Sequence, residues 1–143
     1  MIERIIQKIG RIDEYLNIIE SIKHECRERF DKDPLYRGAM LHYLYLMADT
    51  CIVLAEMVIK KRGLRPPQYY AESFDILADG GVLESSFAFS FAKIAGFRNF
   101  LAHDYEQVEA QIVCDIIIRS LADVRTYIHQ IKTSLALESD SDT

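Results

Sequence analysis

The sequence predicts an all-α fold, on three observations. Apolar residues recur at three- and four-residue steps over long stretches. No segment alternates with period two as a half-buried strand would. Only six Gly and three Pro punctuate 143 residues, too few for a loop-rich β architecture. Long amphipathic segments joined by short turns give an antiparallel bundle of four main helices plus one short helix. It forms a single domain over residues 1–137, followed by a polar, acidic, disordered tail over 138–143.

The first helix is expected over roughly Ile2 to Phe30. Ile2, Ile5, Ile6, Ile9, Ile12, Leu16, Ile19 and Ile22 make one stripe, with Glu, Lys and Arg between them. Asp31-Lys32-Asp33-Pro34 stops it. Asp33 can cap the next helix, and Pro34 suits its first turn. The second helix runs roughly from Leu35 to Arg62, with Leu41, Leu44, Tyr45, Ala48, Cys51, Ile52, Ala55 and Ile59 inward. Lys60-Lys61-Arg62 complement its C-terminal dipole, and Gly63 is a C-cap residue. After the Leu64–Pro67 turn a short helix spans roughly Gln68 to Ala78, with Tyr70, Phe74 and Leu77 on one face. Asp79-Gly80-Gly81 ends it. A helix over Leu83 to Phe97 follows, and the last runs roughly from Val108 to Leu137, with Ile112, Ile116, Leu121, Val124, Ile128 and Ile131 inward.

Bulk properties bound the function. Half of the chain is hydrophobic, enough for a core. No apolar run approaches the roughly 20 residues of a membrane span, and the N-terminal residues lack a signal-peptide pattern; a cytoplasmic protein without membrane partners is expected. Cys26, Cys51 and Cys114 form no CxxC pair, so neither a zinc site nor a disulfide framework is indicated, and three buried thiols are expected. His24, His42 and His129 stand alone. No Glu-x-x-His pair recurs and no Gly-rich phosphate loop is present, so neither metal nor cofactor is expected. The net charge of −5 argues against a protein that coats nucleic acid through many Lys and Arg contacts. It leaves room for an enzyme that grips one phosphate locally.

The stretch Arg98-Asn99-Phe100-Leu101-Ala102-His103-Asp104-Tyr105 sets a permanent cation, an imidazole and a phenol within eight residues. Arg is a planar phosphate clamp, and His exchanges protons near neutral pH. Five residues turn an ideal helix by about 140°, so Arg98 and His103 do not share one face of a straight helix. They converge if the helix ends near Ala102, or if one chain's Arg meets a second chain's His. The bland alternative is a C-terminal Arg with His103 and Asp104 capping a turn, and for Asp104 the cap is favoured. Asn99 can donate to a phosphate or satisfy local backbone. Tyr105 is either a packing aromatic or a phenol open to modification. Asp49, inside the apolar stretch Leu46 to Leu54, needs a partner or an opening, and Arg98 is a candidate. Glu56 reads as a solvated face residue.

The stretch Gly96–Tyr105 resembles the signature of the HepT-like branch of the HEPN superfamily: Arg, four residues, His, any residue, Tyr. Arg98, His103 and Tyr105 fill all three places. Lys60-Lys61-Arg62-Gly63, Pro67–Phe74, Leu77 and Gly81-Val82-Leu83 keep the family's order, so that the resemblance covers roughly Arg37 to Val124. It implies a HEPN-like homodimer, the toxin of a bacterial toxin–antitoxin system, acting as a metal-independent endoribonuclease on tRNA or mRNA. Arg98 and His103 would be catalytic, at the dimer interface, with Asp49, Asn99 and Tyr105 in support. The implied partner is an MntA-type nucleotidyltransferase antitoxin that attaches AMP to Tyr105. The rival is a non-catalytic helical module that binds a nucleotidyltransferase or a nucleotide.

Overall fold

The computed structural model describes residues 1–136; the tail expected at 138–143 lies outside the described residues. Seven α-helices follow one another: α1 (Ile2–Ile22), α2 (Cys26–Arg29), α3 (Pro34–Lys61), α4 (Glu72–Asp79), α5 (Ser85–Phe91), α6 (Lys93–His103) and α7 (Leu121–Ser134). No strand occurs among the described residues. The all-α class is as the sequence predicts.

Helix α1 buries Ile5, Ile9, Ile12, Leu16 and Ile19. Ile6 leaves the expected stripe and is half exposed, because adjacent helical residues point about 100° apart. The predicted single helix to Phe30 is interrupted by a 3₁₀ turn at Lys23–Glu25 before α2. The Ile22 carbonyl at the end of α1 accepts the Tyr36 hydroxyl from α3, which gives that helix-terminal acceptor a partner.

Asp33 caps α3 as expected: its carboxylate accepts the amides of Leu35 and Tyr36 at 3.0 and 3.2 Å, with Pro34 in the first turn. Arg29, which hydrogen-bonds it, is the main reason its carboxyl titrates below the usual range. At the other end Gly63 takes a left-handed φ of 66°, and the Leu64 amide reaches back to the Ile59 carbonyl, closing the helix as a Schellman cap. Helix α3 lies against α1, α4 and α6 and buries Leu41, Leu44, Ala48, Cys51, Ile52 and Ala55. Contrary to the sequence expectation, it is long and apolar enough by composition to cross a membrane, but half of its most apolar window is buried inside the fold. It is the central helix of the core.

The pairings Arg125–Glu20, Arg98–Asp49 and Arg62–Ser134 set the directions of the long helices. Helices α1 and α6 run one way, α3 and α7 the other. Tyr127 of α7 lies among Phe74 of α4 and Phe91 of α5, with ring centroids 5.8 and 4.7 Å away, and its buried hydroxyl donates to the Cys51 carbonyl at 2.7 Å.

Three further expectations are corrected. The helix predicted over Leu83 to Phe97 is two helices. Glu84 caps α5 through the Ser86 and Phe87 amides, the backbone tightens where the Ala95 amide bonds the Ala92 carbonyl, and α6 then continues through the motif to His103. The last helix does not begin at Val108 as a regular α-helix. Ile112–Ile117 is a π-helical turn and Ile118–Ser120 a 3₁₀ turn before α7. The wider turn shifts the helical phase, so Val113 is buried while Ile112 and Ile116 face outward. Finally, Cys26 and Cys114 form a disulfide between positions 88 residues apart, beside an Arg27–Asp115 ion pair. Spacing rules read local patterns and do not see two cysteines that the fold brings together. Cys51 is the buried thiol expected, and burial pushes its pKa up.

Candidate functional site

Helix α6 presents Arg98 toward α3, one turn before its end. The guanidinium Nε–H donates to Asp49 Oδ1 at 3.0 Å, so the apolar stretch of α3 does carry the partnered carboxylate expected. Nη1 donates to Asn99 Oδ1 at 3.2 Å. The Arg98 guanidinium carbon lies over the rings of Tyr45 and Tyr70, at 5.4 and 5.3 Å from their centroids. Arg98 therefore has its Nε edge tied to a carboxylate and its charge over two phenol rings, which favours the cation both electrostatically and through cation–π attraction. Asp49 is the largest cause of an Arg98 pKa above the ordinary arginine value. The remaining N–H groups form a fork fitted to an oxyanion.

Glu56 stands two turns beyond Asp49 on α3. It is half-buried rather than solvated, and burial first, then the Asp49 charge, raises its pKa.

His103 is the last residue of α6 and is exposed. Helix α6 runs unbroken through Arg98 and His103, so the two side chains leave it about 140° apart. The structure does not end the helix early enough to bring them together within one chain. Asp104 caps nothing with its side chain; its amide bonds the Phe100 carbonyl and its carbonyl accepts the Gln107 amide. The favoured side-chain cap is thus absent, and the backbone makes the turn by itself.

Tyr105 follows in a 3₁₀ turn, 42% exposed. Its hydroxyl faces Gly38 of α3: a Cβ built there would lie 3.7 Å from the phenolic oxygen. Arg37 braces the turn by donating to the carbonyls of Tyr105 and Glu106, while its guanidinium lies 4.7 Å from the Phe30 ring centroid. Between α3 and the end of α6 runs an open groove of about 320 Å³, lined by Leu41, His42, Tyr45, Leu101, Ala102 and Tyr105.

Arg98, Asp49 and Asn99 are thus brought together, Tyr105 lies at the far end of the adjoining groove, and His103 points elsewhere. Tyr45, Tyr70, His42 and Arg37 are the neighbours that sequence reasoning missed. Tyr45 had a signal, since it precedes Asp49 by four residues and shares its helix face. Tyr70 was expected on the core face of the short helix; instead it sits in the turn before α4, 41% exposed, against Arg98. Among the described residues no group of three or more His, Cys, Asp or Glu side chains is arranged to hold a metal ion.

A family model described as "Ribonuclease HepT-like" matches residues 12–131. The chain is 26% identical over 128 residues to the mRNA nuclease HepT of Shewanella oneidensis, covering 90% of this chain and 96% of that one. A solved structure of a tri-AMPylated HEPN toxin from the same organism, in complex with its MNT antitoxin, superposes with a TM-score of 0.79. It is 25% identical, and the match covers 90% of this chain and 96% of that chain. YutE of Bacillus subtilis, described as a cytosolic protein of unknown function, shares the fold with a TM-score of 0.80 at 17% identity, over 95% of this chain and 91% of its own.

Proposed function

The chain belongs to the HepT-like ribonuclease family, and from that membership we propose that it is the toxin of a toxin–antitoxin pair: a metal-independent endoribonuclease that works as a homodimer and is silenced by a nucleotidyltransferase antitoxin that attaches AMP to Tyr105. The observation that carries the proposal is the posture of Arg98. An arginine tied through Nε to Asp49 and faced by two phenols has its rotamer set before a ligand arrives. Its outward N–H groups are available to a phosphate, and preorganised donors stabilise charge that builds in a transition state.

In the proposed reaction the 2′-hydroxyl of RNA loses its proton to a base and its oxygen attacks the adjacent phosphorus. The P–O5′ bond breaks, the 5′-oxygen takes up a proton, and a 2′,3′-cyclic phosphate remains. His103 serves as the base or as the acid; Arg98 holds the phosphate oxygens with Asn99 beside it, and Tyr105, at the far end of the groove, positions the strand. The internal nucleophile accounts for RNA specificity without a metal. AMP on Tyr105 adds bulk and negative charge to the groove that adjoins the phosphate position and repels RNA.

The divergence of the two side chains supports a second copy. Arg98 and His103 diverge on one helix, so a composite site takes the arginine of one chain and the histidine of the other. An apolar groove lined by Phe91, Ile94, Phe97, Ile116, Ile117 and Leu121 opens beside the Arg98 helix, with Ile116 60% exposed; a second copy would cover it. The test is cleavage of total RNA and tRNA by chelator-treated protein. Arg98→Ala and His103→Ala each abolish cleavage, while an exchanged mixture of the two recovers about a quarter of wild-type activity, because half of the dimers carry one intact site of two. A mixture as dead as its components removes the composite site. RNA left intact by wild type whose Tyr105 is unmodified by mass spectrometry removes the ribonuclease in favour of a binding module.

A further inference from the structure

We propose that the groove between α3 and the C-terminal end of α6 is a nucleobase-binding subsite, distinct from the Arg98 phosphate clamp and joined to it through Tyr45. The inference rests on the nucleotide-handling site proposed above. The groove has an apolar floor in Leu41 and Leu101 and is walled by Tyr45, His42 and Tyr105. Three π-bearing side chains around an apolar floor are what an unstacked base takes, because every base offers a π-face. Tyr45 belongs to both sites: it lines the groove, and the Arg98 guanidinium carbon lies over its ring. A nucleotide whose phosphate meets the outward edge of Arg98 therefore has a base-sized space at the next position.

Gly38 supplies an independent observation. It lies inside the long helix α3, where glycine is less stable than alanine. Nothing but the Tyr105 hydroxyl lies within 4 Å of the place a Cβ would occupy. A side chain there would rest in van der Waals contact with the phenolic oxygen, and its absence leaves that space beside a residue that lines the groove, so that a nucleotide joined to the oxygen can lay its base along the same walls. One chemistry, a purine or pyrimidine ring on a ribose phosphate, thus has two sources: the RNA strand and an AMP carried by Tyr105.

The test compares AMP with ribose 5-phosphate, which lacks the base, by NMR titration of the full-length unmodified chain and of Ala102→Trp. Ala102 is an exposed groove residue, so the indole fills the space without opening the core; Ala102→Ser controls for the substitution itself. AMP is expected to bind about 5- to 150-fold more tightly than ribose 5-phosphate, the range for stacking one base. Ala102→Trp is expected to erase that preference and Ala102→Ser to keep it. Adding a short single-stranded 2′-O-methyl oligoribonucleotide, which cannot be cut, separates the sources. An affinity for it that falls in Ala102→Trp assigns the groove to a base of the RNA strand; an affinity that the substitution leaves unchanged assigns it to the adenine on Tyr105. Equal affinity for AMP and ribose 5-phosphate, or a preference that survives Ala102→Trp, overturns the subsite. Base preference in a protein that leaves RNA intact keeps the subsite and discards the ribonuclease instead.

Discussion

Replacing Asp49 by Asn tests how Arg98 is held. The substitution keeps an oxygen able to accept the Arg98 Nε–H at 3.0 Å and removes only the charge. The Arg98 donor stays ionised in the variant, so the hydrogen bond remains charge-assisted; what is lost is the Coulomb attraction of the pair, about 4 kcal/mol at roughly 4 Å and an effective dielectric constant near 20. The Arg98 side chain is 18% exposed and that of Asp49 37%, so solvent screens most of that attraction and about 1 kcal/mol is left. Tyr45 and Tyr70 still face the guanidinium in the variant, which keeps the loss well short of that of Arg98→Ala. Because the pair orients the group that meets the phosphate, kcat/KM for RNA cleavage is expected to fall about fivefold, at 1.4 kcal/mol per factor of ten. A second readout reports the same charge without RNA. Burial and the Asp49 charge together raise the Glu56 pKa, so NMR titration of Asp49→Asn should find it moved down toward the ordinary glutamate value while burial keeps it raised. A variant with wild-type kcat/KM whose Glu56 has shifted as expected would show that the charge was removed without consequence and would refute the role given to Asp49.

Two further outcomes concern stability. The disulfide closes an 88-residue separation; on loop-closure entropy, reduction or Cys26→Ser costs at most about 4.6 kcal/mol, read as a lower urea midpoint in dithiothreitol, and labelling of three thiols in the unreduced protein unfolded in urea would contradict the bond. Glu56, whose pKa folding raises, loses stability for the protein as pH climbs from the ordinary glutamate range through the raised value, so Glu56→Gln should increase Tm at pH 7 and leave it unchanged in acid below that range; an equal effect at both pH values would remove titration as the cause.

Sequence periodicity carried the fold class because it reports which face of a helix is buried. Asp33 and Gly63 were legible for a local reason: a cap and a left-handed terminus are decided within a few residues. The Asp49–Arg98 pair was legible through its energetics, since a carboxylate in an apolar stretch has few alternatives to a partner. Contacts that depend on the third dimension were not legible. Nothing in the order of residues says that Tyr70, in a turn, comes to rest against Arg98, or that Cys26 meets Cys114. The π-helical turn at Ile112–Ile117 hid for another reason. Its apolar spacing imitates a regular helix, and the change of phase sends Ile112 and Ile116 outward although the pattern places them inward.

An acidic chain proposed to act on a polyanion has to concentrate its attraction in a small place, and the arginines are distributed accordingly. Arg27, Arg29, Arg65 and Arg125 are paired with carboxylates, Arg62 with the end of α7 at Ser134, and Arg37 with the carbonyls behind Tyr105. These side chains brace the bundle and its turns. Arg98 is also paired, but its one carboxylate holds the Nε edge, Asn99 takes one hydrogen bond from Nη1, and the phenols of Tyr45 and Tyr70 lie under the guanidinium, so that Nη2 keeps its donors. Such a site neutralises few phosphates, so the counterion-release contribution to RNA affinity is small and binding falls only shallowly with salt. The affinity withheld by net charge then has to come from contacts that salt does not screen, and base stacking is the chemistry available. That is why a groove walled by Tyr45, His42 and Tyr105 next to a single clamped arginine makes physical sense in a chain of net charge −5.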